Sequence, residues 1–218
     1  MIKLVIFDLD GTLLDTLSDL TAAVNASLSA YDFPPRTREE VQQFVGNGVS
    51  KLLERALPAY SLPFSDSAQL RARFETYYDA HLWDATTVYP GIADLLSALQ
   101  TRGVQIAVAS NKYQAATKRL INHFFPSVCF ADVCGQHDGR PRKPHPQIVA
   151  DILKQSTIAP QETLYVGDSA VDMQTARNAG VRACGVTWGF RPREELSAEN
   201  PFKIADKPQQ ILEIAEKE

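Results

Sequence analysis

The chain has 218 residues, enough at roughly 150 residues per domain for one large domain or one domain carrying an insert. Hydrophobic residues make up 44% and charged residues 22%, a balance that excludes a disordered chain and needs no disulfide staples. With 22 basic and 26 acidic side chains the formal charge is −4, which gives no electrostatic reason to expect nucleic acid or an anionic membrane as partner.

The first apolar run, 2–7, breaks at Asp8, too soon for the apolar stretch of a secretion signal or for a spanning helix. A soluble, cytoplasmic protein is expected, with no membrane partner. From Gly11 to Gly103 the chain then runs far beyond the dozen or so residues that a helical crossover needs. Residues 15–84 read as helical almost throughout: Leu17, Leu20, Val24 and Leu28 form one stripe. Val49, Leu52, Leu53 and Ala56 form another, and Phe74, Tyr77, Tyr78 and Leu82 a third, with Pro34-Pro35, Pro58 and Pro63 at the joins. This stretch is expected to be a small second domain that enters and leaves on the same edge of the sheet and acts as a lid.

Beyond it, short apolar runs alternate with helical patterns. Ile92, Leu95, Leu96 and Leu99 sit at helix spacing before the run 104–109. Leu120, Ile121 and Phe124 precede the run 128–133, and Ile148, Val149, Ile152 and Leu153 precede 164–166 and 183–186. Runs of this length, covered on both faces and separated by helices, predict an α/β fold with a parallel sheet. Cys129, Cys134 and Cys184 lie in or beside such runs without a C-x-x-C pair, so they read as small buried hydrophobes rather than metal ligands.

In such a sheet, ligands bind beyond the carboxyl ends of the strands. The residues found there are Asp8-Leu9-Asp10-Gly11-Thr12, then Ser110-Asn111-Lys112, then Gly167-Asp168-Ser169 with Asp172 one turn on. The loop Arg140-Pro141-Arg142-Lys143-Pro144-His145-Pro146 precedes the helix leading to that last strand. Clustered carboxylates repel unless a cation sits among them, and hard Mg²⁺ takes oxygen ligands. Asp8, Asp168 and the backbone carbonyl of Asp10 are therefore the expected metal ligands. Lys143 and Ser110 are expected to bind phosphoryl oxygens. Asp10, two residues beyond Asp8, is placed for proton transfer. Taken singly, each acid reads as a cap or turn residue. Lys112 reads as a solvated loop charge or a phosphate contact, and His145 as a turn residue.

Asp8-Leu9-Asp10-Gly11-Thr12-Leu13-Leu14-Asp15-Thr16 resembles the signature of the haloacid dehalogenase-like superfamily. Ser110, Lys143 and Gly167-Asp168-Ser169 with Asp172 resemble its other three motifs, in order. The resemblance spans essentially the whole chain. It implies a Rossmann-like parallel-sheet core, residues 1–14 and 85–218, with a helical cap domain, residues 15–84, inserted after strand one. It also implies Asp8 as nucleophile and metal ligand and Asp10 as general acid/base. Thr12 would support the loop, Ser110, Asn111 and Lys143 would bind substrate phosphate, and Asp168 would ligate Mg²⁺, with Asp172 and Gly167 in support. Val45-Gly46-Asn47-Gly48-Val49, Leu52-Leu53 and Ser110-Asn111-Lys112 are similar to the phosphoglycolate phosphatase branch. The implied activity is Mg²⁺-dependent hydrolysis of a small phosphorylated metabolite.

Asp10 counts against the dehalogenases and the phosphonate-cleaving members, which lack that second acid. Leu20, where the sugar phosphomutases carry histidine, counts against those, although a sugar-phosphate phosphatase or phosphomutase stays open. A phosphoacceptor receiver-like signalling module and a catalytically dead binding protein are the non-enzyme alternatives. Lys51 and Arg55, just after Gly46-Asn47-Gly48, are candidates to meet a substrate carboxylate from the cap; solvated helix charges are the other reading.

Overall fold

The computed structural model describes residues 1–58 and 64–217; Pro63, expected at a helix join, lies outside the described residues. In chain order the elements are β1 (Leu4–Phe7), β2 (Leu14–Asp15), α1 (Leu17–Ser29), α2 (Arg38–Phe44), α3 (Val49–Ala56), α4 (Phe64–Ala80) and β3 (Thr87–Val88). There follow α5 (Ile92–Thr101), β4 (Gln105–Tyr113), α6 (Gln114–Phe124), β5 (Asp132–Gln136), α7 (Gln147–Ser156) and β6 (Thr163–Gly167). The chain ends with α8 (Ala170–Ala179), β7 (Arg182–Val186), α9 (Arg193–Ala198), β8 (Lys203–Ala205) and α10 (Pro208–Lys217).

Six strands form one parallel sheet in the order β5-β4-β1-β6-β7-β8. Every side chain of β1 is buried, because helices cover both faces. The period-two alternation of the strand sends Val5 and Phe7 to one face, packed with Leu96, Leu99, Leu120 and Ile211. Leu4 and Ile6 go to the other face, packed with Ile148, Ile152 and Met173. The α/β parallel-sheet expectation holds. Two details differ from the sequence reading. The strand expected over 128–133 begins only at Asp132, since Val128 and Phe130 pack their side chains on the core from a loop. The edge strand β8 has three residues and an exposed lysine, too little alternation to read from a sequence.

The pair β2–β3 is antiparallel, with Leu14 opposite Val88 and Asp15 opposite Thr87. The chain therefore leaves β1 and returns toward α5 side by side, and α1–α4 lie between these two crossings. The stripes on α1, α3 and α4 (Leu20, Val24, Leu52, Leu53, Phe74, Tyr78) join the apolar cluster of the Val5/Phe7 face. Helix α2 starts with a capping box in which Thr37 accepts from the Glu40 N–H and the Glu40 carboxylate accepts from the Thr37 N–H. Among the described residues, no helix is long and apolar enough to cross a membrane.

Candidate active site

The strand order reverses at β1, so β4 and β6 flank it and the carboxyl ends of three adjacent strands open at one switch point. Asp8 follows β1, and its N–H still reaches Val166 O at 2.9 Å, which extends the ladder one residue and fixes the side chain over the strand ends. Ser110 lies in β4, and Asp168 follows β6. Gly11 turns the chain at φ +84°, and a Cβ there would fall on the Asp168 carboxylate; only glycine lets the backbone approach that acid so closely. Thr12 is fully buried and donates from Oγ1 to Asp168 Oδ1 at 3.3 Å. The other Asp168 oxygen accepts from the Phe190 N–H at 2.7 Å.

Carboxylate oxygens of Asp8, Asp168 and Asp172, all buried, lie within 4.8 Å of one another. Among the described residues, Lys143 meets two of them. Lys143 Nζ is 3.0 Å from Asp8 Oδ1 and 2.7 Å from Asp172 Oδ1, and it also donates to Ala109 O and the Tyr165 hydroxyl, each at 3.0 Å. Asp172 Oδ2 accepts from the Ser169 hydroxyl at 2.6 Å and the Ser169 N–H at 3.1 Å, so this side chain is committed to holding Lys143 and the start of α8. Burial pushes Asp8 up to about 7; Lys143 opposes that rise, and Asp172 and Asp10 add to it. Burial, then Asp172 and Asp8, push Asp168 well above the usual carboxylate range. Burial works against the Lys143 ammonium, yet Asp172 and Asp8 outweigh it and hold the lysine charged. Ionising all three carboxyls around one ammonium would leave two negative charges in excess, and the upward shifts of Asp8 and Asp168 express that cost. A hard divalent cation fits that deficit and that all-oxygen donor set.

Asp10 is held apart from this cluster. Thr16 Oγ1 donates to its Oδ1 at 2.7 Å, and Lys112 Nζ lies 3.0 Å from its Oδ2. Asp8, Asp10, Ser110, Asn111, Lys112, Asp168 and Ser169 all border a cavity of about 50 Å³ whose far side is built from Leu20, Val49, Leu52, Phe74 and Tyr78. The bottom of the cavity is acidic and hydrogen-bonding, and its roof is apolar and helical.

A model of the haloacid dehalogenase-like hydrolase family matches residues 5–186. The phosphoglycolate phosphatase 1 of Pseudomonas aeruginosa is 35% identical over 98% of this chain and 80% of its own length. The chain belongs to the haloacid dehalogenase-like hydrolases. Within them it sides with the phosphoglycolate phosphatase-like phosphatases. The phosphoglycolate phosphatase of Vibrio parahaemolyticus is 34% identical over 98% of this chain and 96% of its own. A crystal structure of a predicted phosphoglycolate phosphatase from Haemophilus somnus superposes with a TM-score of 0.91 at 29% identity, covering 98% of this chain and 97% of that one.

This hydrolase brings together at the cavity or directly behind it Asp8, Asp10, Thr12, Ser110, Asn111, Lys143, Asp168 and Asp172. Asn111 borders the cavity, but its amide is engaged elsewhere: Nδ2 donates to Gly46 O at 2.9 Å, and Oδ1 accepts from the Lys143 N–H at 2.9 Å. It ties the loop before α3 to the lysine loop. Gly48, at φ +81°, makes that approach feasible, since a Cβ there would stand 3.3 Å from Asn111 O. Lys112 is not a solvated charge; it is buried against Asp10 and lies over the Tyr78 ring at 4.6 Å.

Lys51 and Arg55 do not reach the cavity. Lys51 is exposed and pairs with Glu54 at 2.7 Å. Arg55 donates to Phe44 O and Asn47 Oδ1, each at 2.8 Å, closing the end of α2 onto the loop. The segment Trp188-Gly189-Phe190-Arg191 was not singled out from sequence. Trp188 Nε1 donates to Thr12 O at 3.0 Å, and Gln42 Nε2 donates to Phe190 O at 2.7 Å. Arg191 donates to the carbonyls of Gln42, Gln43 and Val45. The available signal was position: this segment follows the apolar run 183–186, as the other site loops follow theirs.

Proposed function

We propose that this hydrolase is a divalent-metal-dependent phosphomonoesterase that works through a phosphoryl group carried on Asp8, with 2-phosphoglycolate as its substrate and Mg²⁺ as its metal. The observation that carries the reading is the buried trio Asp8, Asp168 and Asp172 with its single lysine, set under a small cavity. The substrate is supported by the names of the relatives, which match the chain over nearly its whole length. Space for about 50 Å³, a few water-sized spheres at roughly 10–15 Å³ each, favours a small metabolite over a phosphoprotein.

Asp8, Asp168 and the backbone carbonyl of Asp10 would hold the metal. When bound, it supplies positive charge against the phosphoryl oxygens and keeps the carboxylates ionised. Asp8 attacks phosphorus, and the bond to the leaving oxygen breaks. Asp10 gives its proton to that oxygen, so the alcohol departs neutral and Asp8 carries the phosphoryl group. Asp10, now a carboxylate, takes a proton from water as the water oxygen attacks phosphorus and releases Asp8. Lys143 and Ser110 bind phosphoryl oxygens, and Asp172 acts by positioning Lys143. Residues 15–84 form a cap that closes over the strand ends and excludes water. Asn111 to Gly46 and Arg191 to the end of α2 are its latches.

The test is hydrolysis of 2-phosphoglycolate by the purified protein with Mg²⁺, with excess chelator, and as Asp8→Asn. Turnover is expected only in the first case. Activity that persists in chelator removes the metal from the mechanism, and activity in Asp8→Asn removes the nucleophile.

A further inference from the structure

Among the described residues, one buried side-chain polar atom has no hydrogen-bond partner: the hydroxyl of Tyr78. The residue is fully buried, on the face of α4 that also carries Phe74 one turn earlier, and both rings border the cavity. A buried hydroxyl without a partner is costly, and folded proteins rarely leave one so. Leu20, Val49, Leu52 and Phe74, which line the cavity beside it, are apolar and cannot pair with it. The ammonium of Lys112 stands over the face of the Tyr78 ring at 4.6 Å, so the ring and a positive charge border the cavity together. Burial, with Asp10, Asp19 and Asp79 adding to it, keeps the phenol protonated far beyond the usual tyrosine range, and a protonated phenol can donate.

Resting on the phosphatase reading and extending it, we infer that Tyr78 is a specificity-determining residue whose hydroxyl donates a hydrogen bond to an acceptor oxygen at the non-phosphate end of the substrate, the carboxylate in 2-phosphoglycolate. The recognition that Lys51 and Arg55 do not supply is supplied from α4 instead. A site that leaves a donor unpaired until the substrate arrives discriminates strongly against an analogue lacking the acceptor.

The experiment compares kcat/KM for 2-phosphoglycolate with that for ethyl phosphate, which has no acceptor at that end, in the wild type and in Tyr78→Phe. This substitution keeps the ring and its contact with Lys112 and removes only the hydroxyl. The ratio of the two kcat/KM values is expected to fall tenfold or more in Tyr78→Phe, while its Tm stays at or above the wild-type value because an unpaired buried group has been removed. A ratio equal to the wild-type ratio overturns the inference, and so does a lowered Tm, which would make the hydroxyl a structural contact. A wild type that hydrolyses neither ester overturns the phosphatase reading, and the inference with it; a wild type active on both, with an unaltered ratio in the variant, overturns the inference alone.

Discussion

The Lys112 ammonium lies 3.0 Å from Asp10 Oδ2, and its side chain is only 3% exposed. With Thr16 Oγ1 donating to the other oxygen at 2.7 Å, the carboxylate that is to move the proton is fixed from both sides. A group positioned in this way acts on a leaving oxygen or a water without first reorganising. Lys112→Met keeps the bulk of the side chain but leaves the Asp10 carboxylate with one partner. It is expected to lower kcat by about tenfold to hundredfold, the range in which positioned proton transfer contributes. Stopped-flow measurement of the phosphorylation step should show a larger loss for an alkyl phosphate than for nitrophenyl phosphate, whose leaving group needs no proton. Equal losses would assign Lys112 to substrate binding alone.

Why the sequence left Lys112 as a solvated loop charge or a phosphate contact is visible in β4. Ser110, Asn111 and Lys112 are consecutive, and period-two alternation would send the middle residue away from the other two. The pairing of β4 with β5 shifts register between Ala109 and Tyr113, and all three residues are buried at the site. The strand-end acids Asp8 and Asp168 were legible because apolar runs end abruptly in front of them. The sheet was legible because β1 is wholly apolar and β4, β6 and β7 each carry a short apolar run, at 106–109, 164–166 and 183–186. Tyr78 read as one more member of an apolar stripe, which it is; which way its hydroxyl faces depends on tertiary packing. The contacts of Arg191 with Gln42, Gln43 and Val45 link residues far apart in the chain, and local pattern carries no trace of them.

The three thiols should separate by reactivity. Burial and the neighbouring Asp132 push Cys134 up to about 12, and burial pushes Cys184 up to about 12, whereas Cys129, expected to be buried with them, is exposed because it lies in the loop before β5. Only the thiolate reacts, so one fast thiol is expected with an aromatic disulfide reagent at pH 8, the other two appearing on unfolding. The same shifts set a sign for stability. A thiol that keeps its proton more tightly when folded contributes stability that is intact below the ordinary thiol pKa near 9, and that contribution is lost as pH rises toward 12. Replacing Cys184 with Ala should therefore flatten the fall in Tm above pH 9. A native protein with three fast thiols would contradict the burial of Cys134 and Cys184.

Arg191 joins two parts of the structure that act together. Its guanidinium takes up carbonyls at the end of α2 and just beyond it, at 3.2 Å from Gln43 O and 2.7 Å from Val45 O, while the preceding Phe190 N–H holds Asp168 at 2.7 Å. Those carbonyls have no partner within the helix. Arg191→Ala is expected to raise KM at least fivefold and to lower stability by about 0.5–1.5 kcal/mol, the net contribution of a hydrogen bond whose acceptor water can still reach. Arg191→Lys should recover little, because an ammonium cannot reach three divergent carbonyls as a planar fork does. Urea unfolding and initial rates check this together; full recovery by lysine would reduce the contact to charge alone.

Lys51 and Arg55 sit one turn apart on α3, and the structure gives them different work. Lys51 belongs to an exposed pair with Glu54, the two side chains 51% and 62% open to solvent, and such pairs contribute about 0–1 kcal/mol. Lys51→Ala should leave kcat/KM within twofold for any phosphomonoester. Arg55 holds Phe44 O and Asn47 Oδ1, and through them the loop whose Gly46 carbonyl accepts from Asn111. Its loss should loosen that loop and lower kcat/KM for 2-phosphoglycolate and ethyl phosphate by the same factor, since the side chain touches neither ester. The ratio of the two substrates should thus stay at the wild-type value in both variants, the opposite of the outcome expected for Tyr78→Phe. A ratio that falls selectively in Arg55→Ala would return carboxylate recognition to α3 and would mean that this helix swings inward when substrate binds.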